Sequence, residues 1–218
     1  MESTHVLPLL TSEEVRVLGS LMEKSRVTPD NYPLTLNSTL LACNQKTSRY
    51  PVADYDENTV SAALDGLKRK GFVSPDTGGG SRTNKYKHNF HLMFQIPPGG
   101  MTAMCLLFLR GPLTPGEINS NSGRMYNYES LAEVLQTLQA LMDYEMPMVK
   151  ELPRQPGQKE RRFTHLFSGD IVHEINLGSL IEPVHQKKSS SEERLEKLES
   201  EVADIKAKLE ALIVELKG

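Results

Sequence analysis

The chain has 218 residues, with 25 Lys and Arg against 28 Asp and Glu, a formal charge of −3, and 38% hydrophobic residues. These are ordinary proportions for a globular protein of one or two domains. With two cysteines, they exclude a basic nucleic-acid tail, a wholly disordered acidic chain and a disulfide scaffold. The greasiest stretch, Met104 to Leu109, is far too short to span a bilayer. Residues 1–10 carry no basic segment ahead of a long apolar one, so no signal peptide is expected and the expected location is the cytoplasm.

A first helix is expected from Thr11, with Thr11 or Ser12 as its cap and Glu13 and Glu14 in its first turn. Val15, Leu18, Leu21 and Met22 recur at helical spacing. After Pro29 and Pro33, a second helix is expected from about Leu34 to Lys46, with Leu36, Leu40 and Cys43 on one face. A third starts at the N-cap Asp56, turns Val60, Ala63, Leu64 and Leu67 inward, and stops at Gly71, a residue suited to a left-handed cap. Phe72 and Val73 open an extended run, residues 76–80 form a turn, and Arg82 to Tyr86 returns. Three helices followed by a basic hairpin form the pattern of a winged helix-turn-helix.

The order then repeats. Met101, Met104, Cys105 and Phe108 mark a helix apolar nearly all round and therefore buried. Thr114 caps a short helix with Pro115 at its first position. Leu131, Val134, Leu135, Leu138, Leu141 and Met142 make a strong amphipathic helix, expected over Glu129 to Met142. Met148 to Leu152 and Arg161 to Phe167 flank the hairpin tip at residues 153–157. The third helix and hairpin recur about 75 residues on.

The expected fold is therefore mainly α with small β hairpins (α+β). Residues 1–95 and 96–170 form two winged helix-turn-helix domains, 171–190 a linker, and 191–218 a C-terminal coiled-coil helix. In that last segment Leu195, Leu198, Val202, Ile205, Leu209, Leu212 and Leu216 alternate in steps of three and four, a heptad seam. In a parallel pair Arg194 faces Glu199 and Glu201 faces Lys206, both attractive, so a homo-oligomer is expected. Ile213 widens the stripe and leaves open the alternative, a helix folded back on its own domains.

The stretches Pro29-Asp30-Asn31-Tyr32-Pro33-Leu34-Thr35-Leu36-Asn37 and Ala42-Cys43-Asn44-Gln45-Lys46-Thr47 resemble the YceH family. So do Leu109-Arg110-Gly111, Thr114-Pro115-Gly116-Glu117, Arg124-Met125-Tyr126, Pro156-Gly157-Gln158-Lys159-Glu160 and His165-Leu166-Phe167-Ser168-Gly169. These are bacterial proteins of unknown function, and the resemblance covers nearly the whole chain. It implies two winged-helix domains with a coiled C-terminal segment and brings no activity with it. Tyr50 stands where the resemblance leads one to expect an acidic residue.

Charge is unevenly placed. Residues 66–91 carry +5 and residues 147–168 carry +3, while 191–218 carry −3. A winged helix sets its third helix in a major groove and its hairpin on phosphates. Asn58, Thr59 and Ser61 are the candidates for base edges. Lys68, Arg69, Lys70, Arg82, Lys85 and Lys87 are the candidates for phosphates. Asp54, Asp56 and Glu57 crowd the same helix start, so the expected contact is backbone-dominated and weakly specific. Arg154, Lys159, Arg161 and Arg162 give the second hairpin a lesser basic face, but its helix has no Lys or Arg.

Double-stranded DNA and a second copy of the chain are the expected partners, in a regulatory or architectural role. The alternative is a protein-interaction adaptor that uses the second domain and does not bind DNA. No membrane, cofactor or metal is expected. The glycines at 78–80 lack the Lys and Ser/Thr of a phosphate loop, and His88 with His91 lack a third ligand of zinc spacing. Cys43 and Cys105 fall on apolar faces and read as small buried hydrophobes. No catalytic set assembles, so an enzyme is not expected.

Overall fold

The structure, a computed structural model, describes residues 7–76, 84–154 and 160–169. The expected linker over 171–190, the heptad seam from Leu195 to Leu216, and the candidate phosphate contacts Arg82 and Lys159 lie outside the described residues. Helices alternate with two small antiparallel sheets.

Helix α1 runs Ser12–Val27 behind a capping box: Glu14 N–H donates to Thr11 Oγ1 (3.2 Å) and Thr11 N–H to Glu14 Oε2 (2.8 Å). Its expected inward residues Val15, Leu18, Leu21 and Met22 are all buried. Strand β1 (Leu34–Thr35) leads into α2 (Leu36–Cys43). The sequence pattern starts this helix two residues early. Leu34 pairs with Tyr86 in a sheet, and the Thr35 hydroxyl accepts from Ser38 N–H (3.2 Å), which makes Thr35 the cap. The helix also ends short of Lys46. The Asn44 amide donates to Tyr55 O (2.8 Å) and accepts from Tyr55 N–H (2.9 Å), tying the chain to the segment ahead of the next helix.

Helix α3 (Glu57–Arg69) is capped by Asp56, which accepts from Thr59 N–H (2.7 Å), and Gly71 follows at φ +79°. Strands β2 (Val73–Asp76) and β3 (Lys85–His88) complete a sheet of order β1-β3-β2. A short helix α4 (Phe90–Met93) follows, then α5 (Pro98–Arg110), which is buried from Gly99 to Leu109 as its all-round apolar pattern predicts. Helix α6 (Pro115–Ser122) has a second capping box, between Thr114 and Glu117. Helix α7 (Leu131–Met142) and strands β4 (Val149–Glu151) and β5 (Phe163–His165) close the described chain.

The repeat seen in the pattern extends to the pairings. Leu34 pairs with Tyr86 just before the cap Thr35, and Leu113 bridges Phe163 just before the cap Thr114. Residues of both halves nevertheless share one apolar core. Helices α1 and α5 cross closely at Gly19, where a Cβ would sit 3.0 Å from the Phe108 and Leu109 side chains, and the Cys105 thiol donates to Gly19 O (3.4 Å). Phe72, Phe90, Phe94, Phe108 and Phe167 cluster with ring centroids about 5–6 Å apart, joining the residue just before β2, α4 with its C-cap, α5 and the segment after β5.

Candidate nucleic-acid interface

Helix α3 meets solvent along one side because its inward stripe is narrow. Val60, Ala63, Leu64 and Leu67 are buried. Of the residues expected at base edges, Asn58 is exposed, while Thr59 and Ser61 are half-buried. Hydrogen bonds from the Thr59 side chain and from Thr59 N–H hold the Asp56 carboxyl below the ordinary range, so it meets any approaching phosphate as an anion. The acidic helix start expected from the sequence is therefore present, and one of its carboxylates belongs to the cap.

The expected phosphate contacts differ in how free they are. Arg69 is exposed and has no partner among the described residues. Lys68 is exposed but lies 3.2 Å from Asp65 one turn earlier. Lys70 turns back to the buried carboxylate of Glu14 on α1, an ion pair inside the fold. On β3, Lys85 and Lys87 share one face by strand alternation, while His88 on the other face is buried. Lys85 stands opposite Asp76 in the ladder, and Lys87 Nζ lies 3.9 Å from the same carboxylate. The surface therefore combines Arg69 with three lysines whose acidic neighbours are exposed or half-exposed, Lys68, Lys85 and Lys87. Lys70 is diverted.

In the second basic stretch two arginines are paired. Arg162 grips Glu117 with both terminal nitrogens (3.0 and 2.9 Å) and donates to Pro112 O (2.8 Å), pinning β5 to α6. Arg161 pairs with Glu151 at 3.1 Å, and Arg154 is exposed. Helix α7 departs from the expected amphipathic burial. Val134, Leu138 and Leu141 are buried, but Leu131 and Leu135, one turn apart, remain 48% and 45% exposed because no described element covers that side.

The remaining reactive groups have structural positions. Cys43 and Cys105 are buried, and burial pushes both thiols up, which keeps them protonated and unreactive. His88 is buried with its Nε2 at 3.1 Å from Ser25 Oγ, and burial lowers it to about 4. Among the described residues no three His, Cys, Asp or Glu side chains gather to hold a metal ion. No described helix is long and apolar enough to cross a membrane.

A family model described as a protein of unknown function, DUF480, matches residues 10–158. A UPF0502 protein of Shewanella sp. strain ANA-3 is 42% identical over 216 residues, covering 95% of this chain and 99% of the relative. A UPF0502 protein of Shewanella oneidensis is 41% identical over 220 residues with the same coverage. One of Shewanella baltica strain OS155 is 47% identical over 163 residues, 73% of each chain. None of these names states an activity.

Proposed function

The chain belongs to the DUF480 family of proteins of unknown function, and we propose that it is a DNA-binding protein of regulatory or architectural type. In this reading it is cytoplasmic and built from two winged helix-turn-helix modules. The order α1, β1, α2, α3, β2, β3, with β3 between the other two strands, supports a winged-helix reading of the first module. The order α5, α6, α7, β4, β5, with the Leu113–Phe163 bridge in place of a first strand, supports it for the second. This is the winged-helix architecture that the YceH resemblance implies.

One observation carries the function. The exposed cations at the end of α3 (Lys68 and Arg69) and, on β3, exposed Lys87 with half-buried Lys85 would belong to the two parts of a winged helix that reach a duplex. Because the exposed carboxylates Asp54, Asp56 and Glu57 crowd the start of α3 beside Asn58, affinity comes from phosphate contacts elsewhere on the surface, and sequence preference is weak.

Fluorescence anisotropy of a labelled duplex, titrated across salt, tests this beside a Lys85→Glu/Lys87→Glu variant. Saturable binding with a steep salt slope, weakened and flattened by the reversal, is the expected result. Equal binding by both proteins overturns the hairpin contact. The residues from Leu195 to Leu216 would pair two copies as a parallel coiled coil, which lets both copies engage one duplex. Light scattering before and after deletion of residues 191–218 tests it, and an unchanged mass refutes it.

A second reading has its own observation. Leu131 and Leu135 expose apolar surface on α7, a helix without Lys or Arg. An adaptor that binds another protein through this face explains that exposure better than DNA does. Co-purification of one defined partner with the tagged protein, lost in a Leu131→Glu/Leu135→Glu variant, is what this reading expects. Recovery of the chain alone refutes it.

A further inference from the structure

A cleft of about 120 Å³ lies where α1 and the turn after α2 meet α5 and α6, and its charged lining is mainly cationic. Lys24, Arg110 and Arg124 line it, with the neutral polar groups of Gln45, Ser48 and Asn121 beside them. Its one carboxylate, Glu23, is already engaged. It accepts two hydrogen bonds from Arg49 (3.1 and 2.7 Å) and lies 3.1 Å from Lys24. Among the described residues Arg110 and Arg124 have no acidic partner, and the buried Arg110 Nε has no hydrogen-bond acceptor.

That last fact separates this place from ordinary surface charge. A cation at the end of a helix gains from the C-terminal dipole, which accounts for Arg110 closing the apolar helix α5. The dipole does not supply an acceptor to a buried N–H, and an unmet buried donor is costly. Two guanidinium forks and an ammonium group around a space this small match an oxyanion, which accepts several charge-assisted hydrogen bonds at once.

We propose that this cleft binds the phosphate or carboxylate group of a small anionic molecule. Arg110 and Arg124 would supply the forked donors, Lys24 a point charge, and Gln45, Ser48 and Asn121 the neutral contacts. Leu109, whose carbonyl accepts from Tyr50 N–H (2.8 Å), ties α5 to the loop that leads into α3. An occupant would brace α1 and that loop against α5 and α6, so the cleft is placed to act as an effector site for the surface of α3. The binding itself does not depend on the DNA reading.

Isothermal titration calorimetry of the full chain, with inorganic phosphate and separately with malonate, tests this. Saturable binding of at least one anion is expected, and the stronger of the two tells whether a phosphoryl or a carboxylate ligand fits. Arg124→Gln and Arg110→Gln should each weaken it about tenfold, the cost of a charge-assisted hydrogen bond, while Lys85→Glu leaves it unchanged. Arg124 is exposed, so its variant keeps the fold, and circular dichroism checks both. No saturable binding of either anion, or binding indifferent to both arginine changes, overturns the proposal. An equal loss in Lys85→Glu also overturns it, because it reports only general charge attraction.

Discussion

Gly66 of α3 lies directly over the carboxylate of Glu14 on α1: a Cβ at position 66 would overlap Glu14 Oε1. That carboxylate cannot simply swing aside. It is 5% exposed, it accepts from Thr11 N–H in the capping box, and it pairs with Lys70. The missing side chain at 66 makes room for a buried acid that joins α1 to the end of α3.

Gly66→Ala is therefore expected to destabilise the protein, although Ala is the better helix former by about 1 kcal/mol. Displacing Glu14 from its cap and its ion pair costs about 2–4 kcal/mol, so the net loss is about 1–3 kcal/mol. Urea denaturation of the two proteins measures it. A more stable Gly66→Ala variant would mean that the glycine is not there for Glu14.

Arg49 supplies a second expected outcome. Its side chain is fully buried and donates to Ala42 O (3.0 Å), Ser48 O (3.0 Å), Gln45 Oε1 (2.9 Å) and both oxygens of Glu23. Burial works to raise the Glu23 carboxyl, but its hydrogen bonds and charge contact with Arg49 prevail and hold it below the ordinary range. Glu23→Gln keeps the shape and removes the charge, leaving a buried guanidinium uncompensated. A loss of about 3 kcal/mol is expected by chemical denaturation. A change within about 0.5 kcal/mol would show that the backbone carbonyls satisfy Arg49 alone.

Local signals were legible in the sequence, and remote ones were not. Thr11, Asp56 and Thr114 declare themselves as caps because a capping partner lies three residues away, and Gly71 marks its own turn. Leu34 and Thr35 misled because their strand partners, Tyr86 and Lys85, come from the far side of a hairpin. Leu131 and Leu135 show helical spacing, but spacing does not say whether anything covers that side. The charge run Lys68-Arg69-Lys70 reads as three equal phosphate contacts. The partner of Lys68 is three residues away and visible, whereas the partner of Lys70 is 56 residues away. The cationic cleft had no local signal beyond Arg110, the one charged residue of α5, because its other cations sit on α1 and after α6.

Two buried histidines predict an acid limit to stability. His88 and His165 are each 8% exposed, and burial lowers both from an ordinary 6.5 to about 4. His91 and Arg26 depress His88 further, while His165 packs edge-on to Phe108 at 5.0 Å. Both rings are neutral in the folded protein, so the unfolded chain binds protons first as pH falls. Their stabilising contribution is complete above about pH 6.5 and is lost between there and about pH 4, on the order of 3 kcal/mol for each ring. Urea midpoints should hold level from pH 7.5 to about 6.5 and fall from there to pH 4.5, and His165→Leu should flatten that fall. A flat wild-type profile would mean that these rings titrate normally in the folded state.

Arg69 and Lys70 adjoin in the chain yet answer to different partners, and this separates binding from folding. Arg69 is exposed and unpaired among the described residues, so Arg69→Ala should leave stability within about 0.5 kcal/mol of wild type. If α3 contacts phosphates, the same change weakens duplex binding and lowers the salt slope by about one. Lys70 is committed to Glu14, so Lys70→Ala should cost about 1–2 kcal/mol of stability by leaving a buried carboxylate without its cation. Its effect on the salt slope should be small, because a charge already neutralised inside the fold releases few counterions from DNA. Equal salt slopes for Arg69→Ala and wild type would remove the end of α3 from the interface, and a slope lowered in Lys70→Ala would mean that its pair with Glu14 opens when DNA binds.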